Sequence, residues 1–223
     1  KKECSVAACK ISDWPDYSIR GFITYNTNEL KESLNWKTSV NFLPWWRRKK
    51  EWREPSAGYR REIETLTTYA VERGCDVALW TCPFFYKPIS ISKDEDIETL
   101  MNTHKISLKK GGRFQFISVD DGGRTKESFT EADRKEYNND ILLAHAWYAK
   151  KLSDNIYEQY PDATIFMGTK DYESTKGIEG YYDRIGVSKK LIIGWTGPQC
   201  VTFNYPKYIV EQYIKGIDNR NFI

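Results

Sequence analysis

The chain has 223 residues, enough for one large domain or two small ones, with 40% hydrophobic and 29% charged residues, the composition of an ordinary globular protein. Its net charge of +3, from 34 basic and 31 acidic residues, is too balanced to indicate a nucleic-acid partner. No apolar run approaches the roughly 20 residues of a membrane span, and no apolar leader opens the sequence, which fits a cytosolic chain or one already trimmed.

Five cysteines, Cys4, Cys9, Cys75, Cys82 and Cys200, include no Cys-x-x-Cys pair. Neither a zinc site nor a dense disulfide framework is indicated. Cys4 and Cys9 are spaced for a local bridge, or stand as two free thiols. The two histidines, His104 and His145, both fall inside helical patterns, which argues against a His-rich metal site. We expect no metal and no organic cofactor. Aromatic residues make up 15% of the chain, with 8 Trp and 15 Tyr, and any surplus at loop ends would suit stacking on sugar rings.

In chain order, residues 1–12 read as the tail of an upstream segment and 13–223 as one barrel domain, truncated at its C-terminal side. The first strand is predicted over 21–25. A short helix follows over 28–34, with Asn28 as N-cap. A second strand covers 39–43, stopped by Pro44. A basic, aromatic loop then runs from Trp45 to Pro55. Its Trp and Arg residues suit nucleic acid, or a solvated loop packed on the domain. The spacing of Ile63, Leu66, Ala70 and Val71 predicts a helix over 59–73, ended by Gly74. A third strand over 76–80 precedes a helix over 94–109, with His104 at the edge of its apolar face and Gly111-Gly112 as its stop. The fourth strand is 114–119. After a polar loop, Thr130-Glu-Ala-Asp133 resembles a capping box, and a single helix pattern continues to about residue 160. A fifth strand lies in 162–168, a short helix or loop in 177–185, a sixth strand in 190–195 and a helix in 208–216. Residues 221–223 open a seventh strand.

Short apolar runs thus alternate with helical patterns, the signature of βαβ units and a parallel sheet. No Gly-x-Gly-x-x-Gly opens the first unit, so a dinucleotide fold is not supported. The prediction is α/β, a (β/α)8 TIM-type barrel with about six to seven units present, where closure needs eight.

The chemistry is expected in Phe114-Gln-Phe-Ile-Ser-Val-Asp-Asp-Gly-Gly123. Two carboxylates at the end of a buried strand are costly unless hydrated or paired, and the C-terminal ends of barrel strands are where catalytic groups sit. Asp120 and Asp121 are therefore the candidate catalytic residues. The competing reading is a plain Asp-Asp-Gly-Gly turn. Consecutive residues of a strand point to opposite faces, so the pair acts together only if the backbone leaves strand geometry at Asp120.

Four stretches carry a further signal: Asp13-Trp-Pro-Asp-Tyr17 with Arg20-Gly21, Trp52-Arg-Glu-Pro55, Asp120-Asp121, and Trp195-Thr-Gly-Pro198. In this order and spacing the chain resembles the catalytic domain of glycoside hydrolase family 84, β-N-acetylglucosaminidases that include O-GlcNAc hydrolases and hyaluronidase-like enzymes. The resemblance implies a retaining hydrolase of a glycan or glycoconjugate, acting by substrate-assisted catalysis. Asp120 would orient the acetamido N–H and Asp121 would be general acid and base. Tyr172, with Asp171 as the competing choice, would line the pocket, and Trp195 and Tyr25 would contact substrate. Bacterial members tilt the compartment towards secretion by analogy. The first turn, Ile23-Thr-Tyr-Asn26, and the segment Pro44-Trp-Trp-Arg-Arg48 depart from the family pattern. The family's sugar-gripping Asn and Asp residues follow a seventh strand. Two alternatives follow: a barrel glycosidase of other specificity, such as a glucuronidase in which Arg47 and Arg48 pair with a sugar carboxylate, or a non-catalytic glycan-binding remnant.

Overall fold

Runs rich in β-branched and aromatic residues, largely buried in the inner strands and exposed in the first, form a parallel sheet. In the computed structural model, residues 19–44, 52–53, 55–85, 88–123, 125–170, 172–173, 180–198 and 206–216 are described. Among them, six strands are β1 (Gly21–Ile23), β2 (Val40–Pro44), β3 (Asp76–Thr81), β4 (Phe114–Ser118), β5 (Thr164–Gly168) and β6 (Ile192–Gly194). All neighbours are parallel, and spatial order equals chain order from β1 to β6. A doubly wound sheet would reverse its order at a switch point; this one does not, so the strands wind one way, as in a barrel.

The sheet is curled. On a flat sheet β2 and β5 would stand about 14 Å apart, three strand spacings. Instead the rings of Phe42 on β2 and Phe166 on β5 lie 5.7 Å apart. Phe42 also meets Phe116 of β4 at 5.6 Å, and Trp80 of β3 stacks on Phe116 at 4.8 Å. These side chains occupy every second position and fill the concave face with aromatic rings. The architecture is a curled half-barrel, an incomplete TIM-type form, with β1 and β6 as the edges of the described sheet; its six strands match the six to seven units expected from the sequence.

The convex face carries the larger core. Helices α1 (Thr27–Asn35), α2 (Ala57–Val71), α3 (Asp94–Leu108), α4 (Glu131–Glu136), α5 (Ile141–Gln159), α6 (Tyr181–Arg184) and α7 (Lys207–Gly216) connect the strands or follow them. Ile63, Leu66 and Ala70 of α2 pack with Val77 and Leu79 of β3. Leu100, Leu152 and Ile156 pack with Ile117, Ile165 and Met167. Truncating any one of the Leu, Ile or Met side chains among these to Ala would cost roughly 2–5 kcal/mol.

Several boundaries differ from the sequence reading for local reasons. Asn26, not Asn28, caps α1, because its side chain accepts from the backbone N–H of both Asn28 and Glu29. The Glu29 carboxylate reaches back to Tyr25 N at 2.6 Å, closing the cap. Pro44 does not stop β2 short but is its last residue, opposite Trp80. The single helix expected to run to about 160 is two. Asn138 and Asn139 take φ of 53° and 57°, a region Asn tolerates, and Asp140 starts α5 by accepting from Leu143 N. Gly74, with φ of 73°, ends α2 as expected. Thr130 caps α4, and the buried Asp133 spends its carboxylate on Ser92 N at 2.7 Å rather than on the cap alone.

His104 is not at a core edge. It is fully buried, bonded to Thr81 Oγ1 at 2.9 Å and to Gln115 Oε1 at 2.7 Å. Cys75 and Cys82 are buried free thiols. Cys4, Cys9, Cys200, the motif beginning at Asp13, Arg47, Arg48, Asp171 and the strand at 221–223 lie outside the described residues.

Candidate active site

The site is built where β4 runs out. Val119 N still bonds across to Gly168 O at 2.9 Å, holding the chain in register with β5. At Asp120 the backbone turns to a φ of 41°. Asp is among the few residues that enter this region readily, and its Oδ1 accepts from Asp121 N at 2.9 Å. A 3₁₀ turn over Asp121–Gly123 follows, closed by Gly123 N to Val119 O at 3.0 Å. The backbone thus leaves strand geometry at the first acid, and both carboxylates border one cleft.

The two glycines are there because neighbouring backbone and ring leave no space. A Cβ on Gly122 would stand 2.9 Å from Phe85 N, and one on Gly123 would stand 2.9 Å from Nε2 of His145. The turn is therefore pressed against the β3 loop on one side and α5 on the other.

The cleft, about 480 Å³, opens at the C-terminal ends of the strands. Trp80, Phe116 and Phe166 line it from the concave face, and Ser118, Gly168 and Gly194 stand at the strand ends. Trp80 Nε1 donates to Ser118 Oγ at 2.9 Å, which fixes the indole plane. The mixture of apolar walls and a few convergent polar groups is typical of a small-ligand site.

Tyr172 is placed beside the acids. Its hydroxyl donates to Asp121 Oδ1 at 2.9 Å. Its backbone carbonyl accepts from Thr196 N at 2.9 Å and from Thr196 Oγ1 at 3.1 Å, so the loop after β6 holds the loop after β5. Trp195 borders the same cleft and stacks on Tyr213 of α7, ring centroids 4.3 Å apart and planes within 10°. Asp120, Asp121, Tyr172 and Trp195 are thus brought together. Tyr25 is not. It borders a separate depression of about 330 Å³ with Phe22 and Trp36, and Ile23 is the β1 residue that reaches the cleft.

Sequence reasoning passed over Trp80, Phe116, Ser118 and His145. Phe116 and Ser118 were readable in principle, since they alternate along one side of β4 just before the turn at Asp120. Nothing in the sequence tied His145 to the turn.

Cys82 donates weakly to Val119 O at 3.4 Å. Burial, reinforced by the charges of Asp120 and Asp121, pushes its pKa well above the ordinary thiol value, so it is a neutral thiol and no nucleophile. Among the described residues no group of three or more His, Cys, Asp or Glu is arranged to hold a metal, and no helix is long and apolar enough to cross a membrane.

No protein-family model and no curated protein matches the chain by sequence. Solved structures do match it in three dimensions. A mutant of the Thermobaculum terrenum O-GlcNAc hydrolase superposes with a TM-score of 0.77 at 16% identity, over 92% of this chain and 46% of the other. CpGH84D gives 0.69 at 17% identity over 96% and 37%, and CpGH84B gives 0.63 at 15% over 90% and 38%. The chain therefore spans less than half the length of each structure, and at these identities it shares their fold, the fold of the family that its sequence motifs resemble.

Proposed function

We propose that the chain carries the acid pair of a retaining β-N-acetylglucosaminidase that works by substrate-assisted catalysis, its sheet forming six strands of an eight-stranded barrel. One observation carries this reading: a left-handed residue at Asp120 followed by a 3₁₀ turn delivers two adjacent carboxylates to a single cleft. A turn placed only to reverse the chain has no need of this. The likeness to an O-GlcNAc hydrolase fold supports the choice of substrate class.

In this mechanism the sugar's own 2-acetamido oxygen attacks the anomeric carbon. The glycosidic C–O bond breaks, and Asp121 gives its proton to the departing oxygen. Asp120 accepts a hydrogen bond from the acetamido N–H, which gains positive character as the ring closes. Water then opens the cyclic intermediate, and Asp121 takes the proton back, so the anomeric configuration is retained. Tyr172 holds the Asp121 carboxyl in place through Oδ1. The apolar walls at Trp80, Phe116 and Trp195 exclude water and offer faces for a sugar ring.

The test is an aryl β-N-acetylglucosaminide series with the wild type and Asp121→Asn. We expect kcat to fall about 10²–10⁴-fold for poor leaving groups, and much less for phenolates that leave without a proton. Replacing the N-acetyl group by N-trifluoroacetyl should slow the wild type steeply, because the attacking oxygen becomes a weaker nucleophile. Equal rates for both acyl groups would point to a carboxylate nucleophile instead. Saturable glycan binding with no turnover would favour a binding module.

A further inference from the structure

His145 lies in the second turn of α5, in the layer of helices rather than in the cleft. It is 3% exposed and flanked by the rings of Phe84 at 6.0 Å and Phe129 at 5.4 Å. Burial, and then the charge of Lys170, push its pKa down to about 3 against a hydrogen-bonding pull from the Gly123 backbone, so the ring is neutral at ordinary pH. A neutral imidazole among phenyl rings is costly unless its polar atoms are used. Its Nε2 completes no hydrogen bond of full geometry, yet it sits 2.9 Å from where a Cβ on Gly123 would stand. The polar edge of the ring therefore faces the last residue of the turn that begins with Asp121. Ties within the turn's own strand run from Asp121 N to Asp120 Oδ1 and from Gly123 N to Val119 O. His145 meets the turn from a different element.

We propose that His145 is a positioning residue: it braces the Asp121–Gly123 turn from the helix layer, and Gly123 is required because only a residue without a side chain lets the ring close on the backbone. The consequence for catalysis rests on the reading of Asp121 as the acid, whereas the brace itself does not.

Two variants separate the roles. His145→Leu fills similar volume without a polar atom; His145→Gln carries an amide nitrogen at a similar reach. In His145→Leu, we expect amide hydrogen exchange at residues 121–123 to accelerate more than tenfold relative to the amides of β4. On an aryl β-N-acetylglucosaminide, kcat should drop at least tenfold with KM within twofold of wild type. His145→Gln should restore most of both. Gly123→Ala should give the same local exchange signature, and the double variant Gly123→Ala with His145→Ala should cost less than the two single effects combined. Uniformly faster exchange across β4 and α5, with unchanged turnover per folded molecule, would overturn the proposal. If the wild type turns over no N-acetylglucosaminide, the functional reading fails and exchange alone decides: no local acceleration in His145→Leu or Gly123→Ala then overturns the brace.

Discussion

At Tyr172 the removal of a single atom tests a contact to the acid pair. Tyr172→Phe removes the hydroxyl that donates to Asp121 Oδ1 and keeps the ring. The bond is exposed at the cleft, so its net worth is about 0.5–1.5 kcal/mol, and we expect kcat to fall about 2- to 10-fold. The melting temperature should stay essentially unchanged, because the backbone ties from Thr196 remain. Steady-state kinetics and a thermal melt check both halves. At this scale the position of the two carboxylates at the end of a buried strand was legible from the sequence, since the apolar run that begins at Phe114 stops just before them. Tyr25 was not: being near the end of the first strand does not say whether a side chain faces the cleft, and here Ile23 takes that place. Trp80 was missed because an indole on a buried strand reads as core until its hydrogen bond to Ser118 places it at the cleft wall.

The elements around the acids are held by close approach, and two glycines separate that effect from helix propensity. In Gly122→Ala the new Cβ would meet the Phe85 backbone nitrogen at 2.9 Å, and backbone gives way poorly. Overpacking of this kind costs about 1–3 kcal/mol, and moving the turn should also remove most activity. Gly58, in α2, has open space where its Cβ would go. Gly58→Ala should therefore stabilise the protein by about 0.5–1 kcal/mol through helix propensity alone. Urea denaturation of both variants, with opposite signs of ΔΔG, is the check. The helices themselves were largely legible from apolar spacing and stop signals such as Gly74. The break between α4 and α5 was not, because the apolar pattern runs on across it. Only the left-handed Asn138-Asn139 pair and the cap at Asp140 interrupt the backbone.

Across the whole molecule, two buried imidazoles set an acid limit. Burial, opposed by the bond to Gln115, holds His104 down at about 4, from an ordinary 6.5. His145 lies at about 3. Both folded values are depressed, so the unfolded chain takes up protons first. The stability these sites lend is complete above pH 6.5 and is lost as pH falls towards their folded values. Each should contribute a slope of about 1 kcal/mol per pH unit between about pH 6 and pH 5. Urea titrations should give roughly 2 kcal/mol per unit from the pair, and His145→Gln should halve that. The winding of the sheet was legible from the alternation of strand and helix patterns. How tightly it curls was not, because contacts such as Phe42 with Phe166 join segments that no local pattern relates.

Strand order that repeats chain order also bears on how the molecule comes to exist. Paired strands are separated by between 19 residues, from Gly21 to Val40, and 50 residues, from Phe114 to Thr164. Among the described strands each pairs with its neighbour in the chain, so the entropy of closing each of these loops stays modest. During synthesis each strand can settle on an edge that the preceding one has already made, and the sheet can grow one ply at a time as the polypeptide leaves the ribosome.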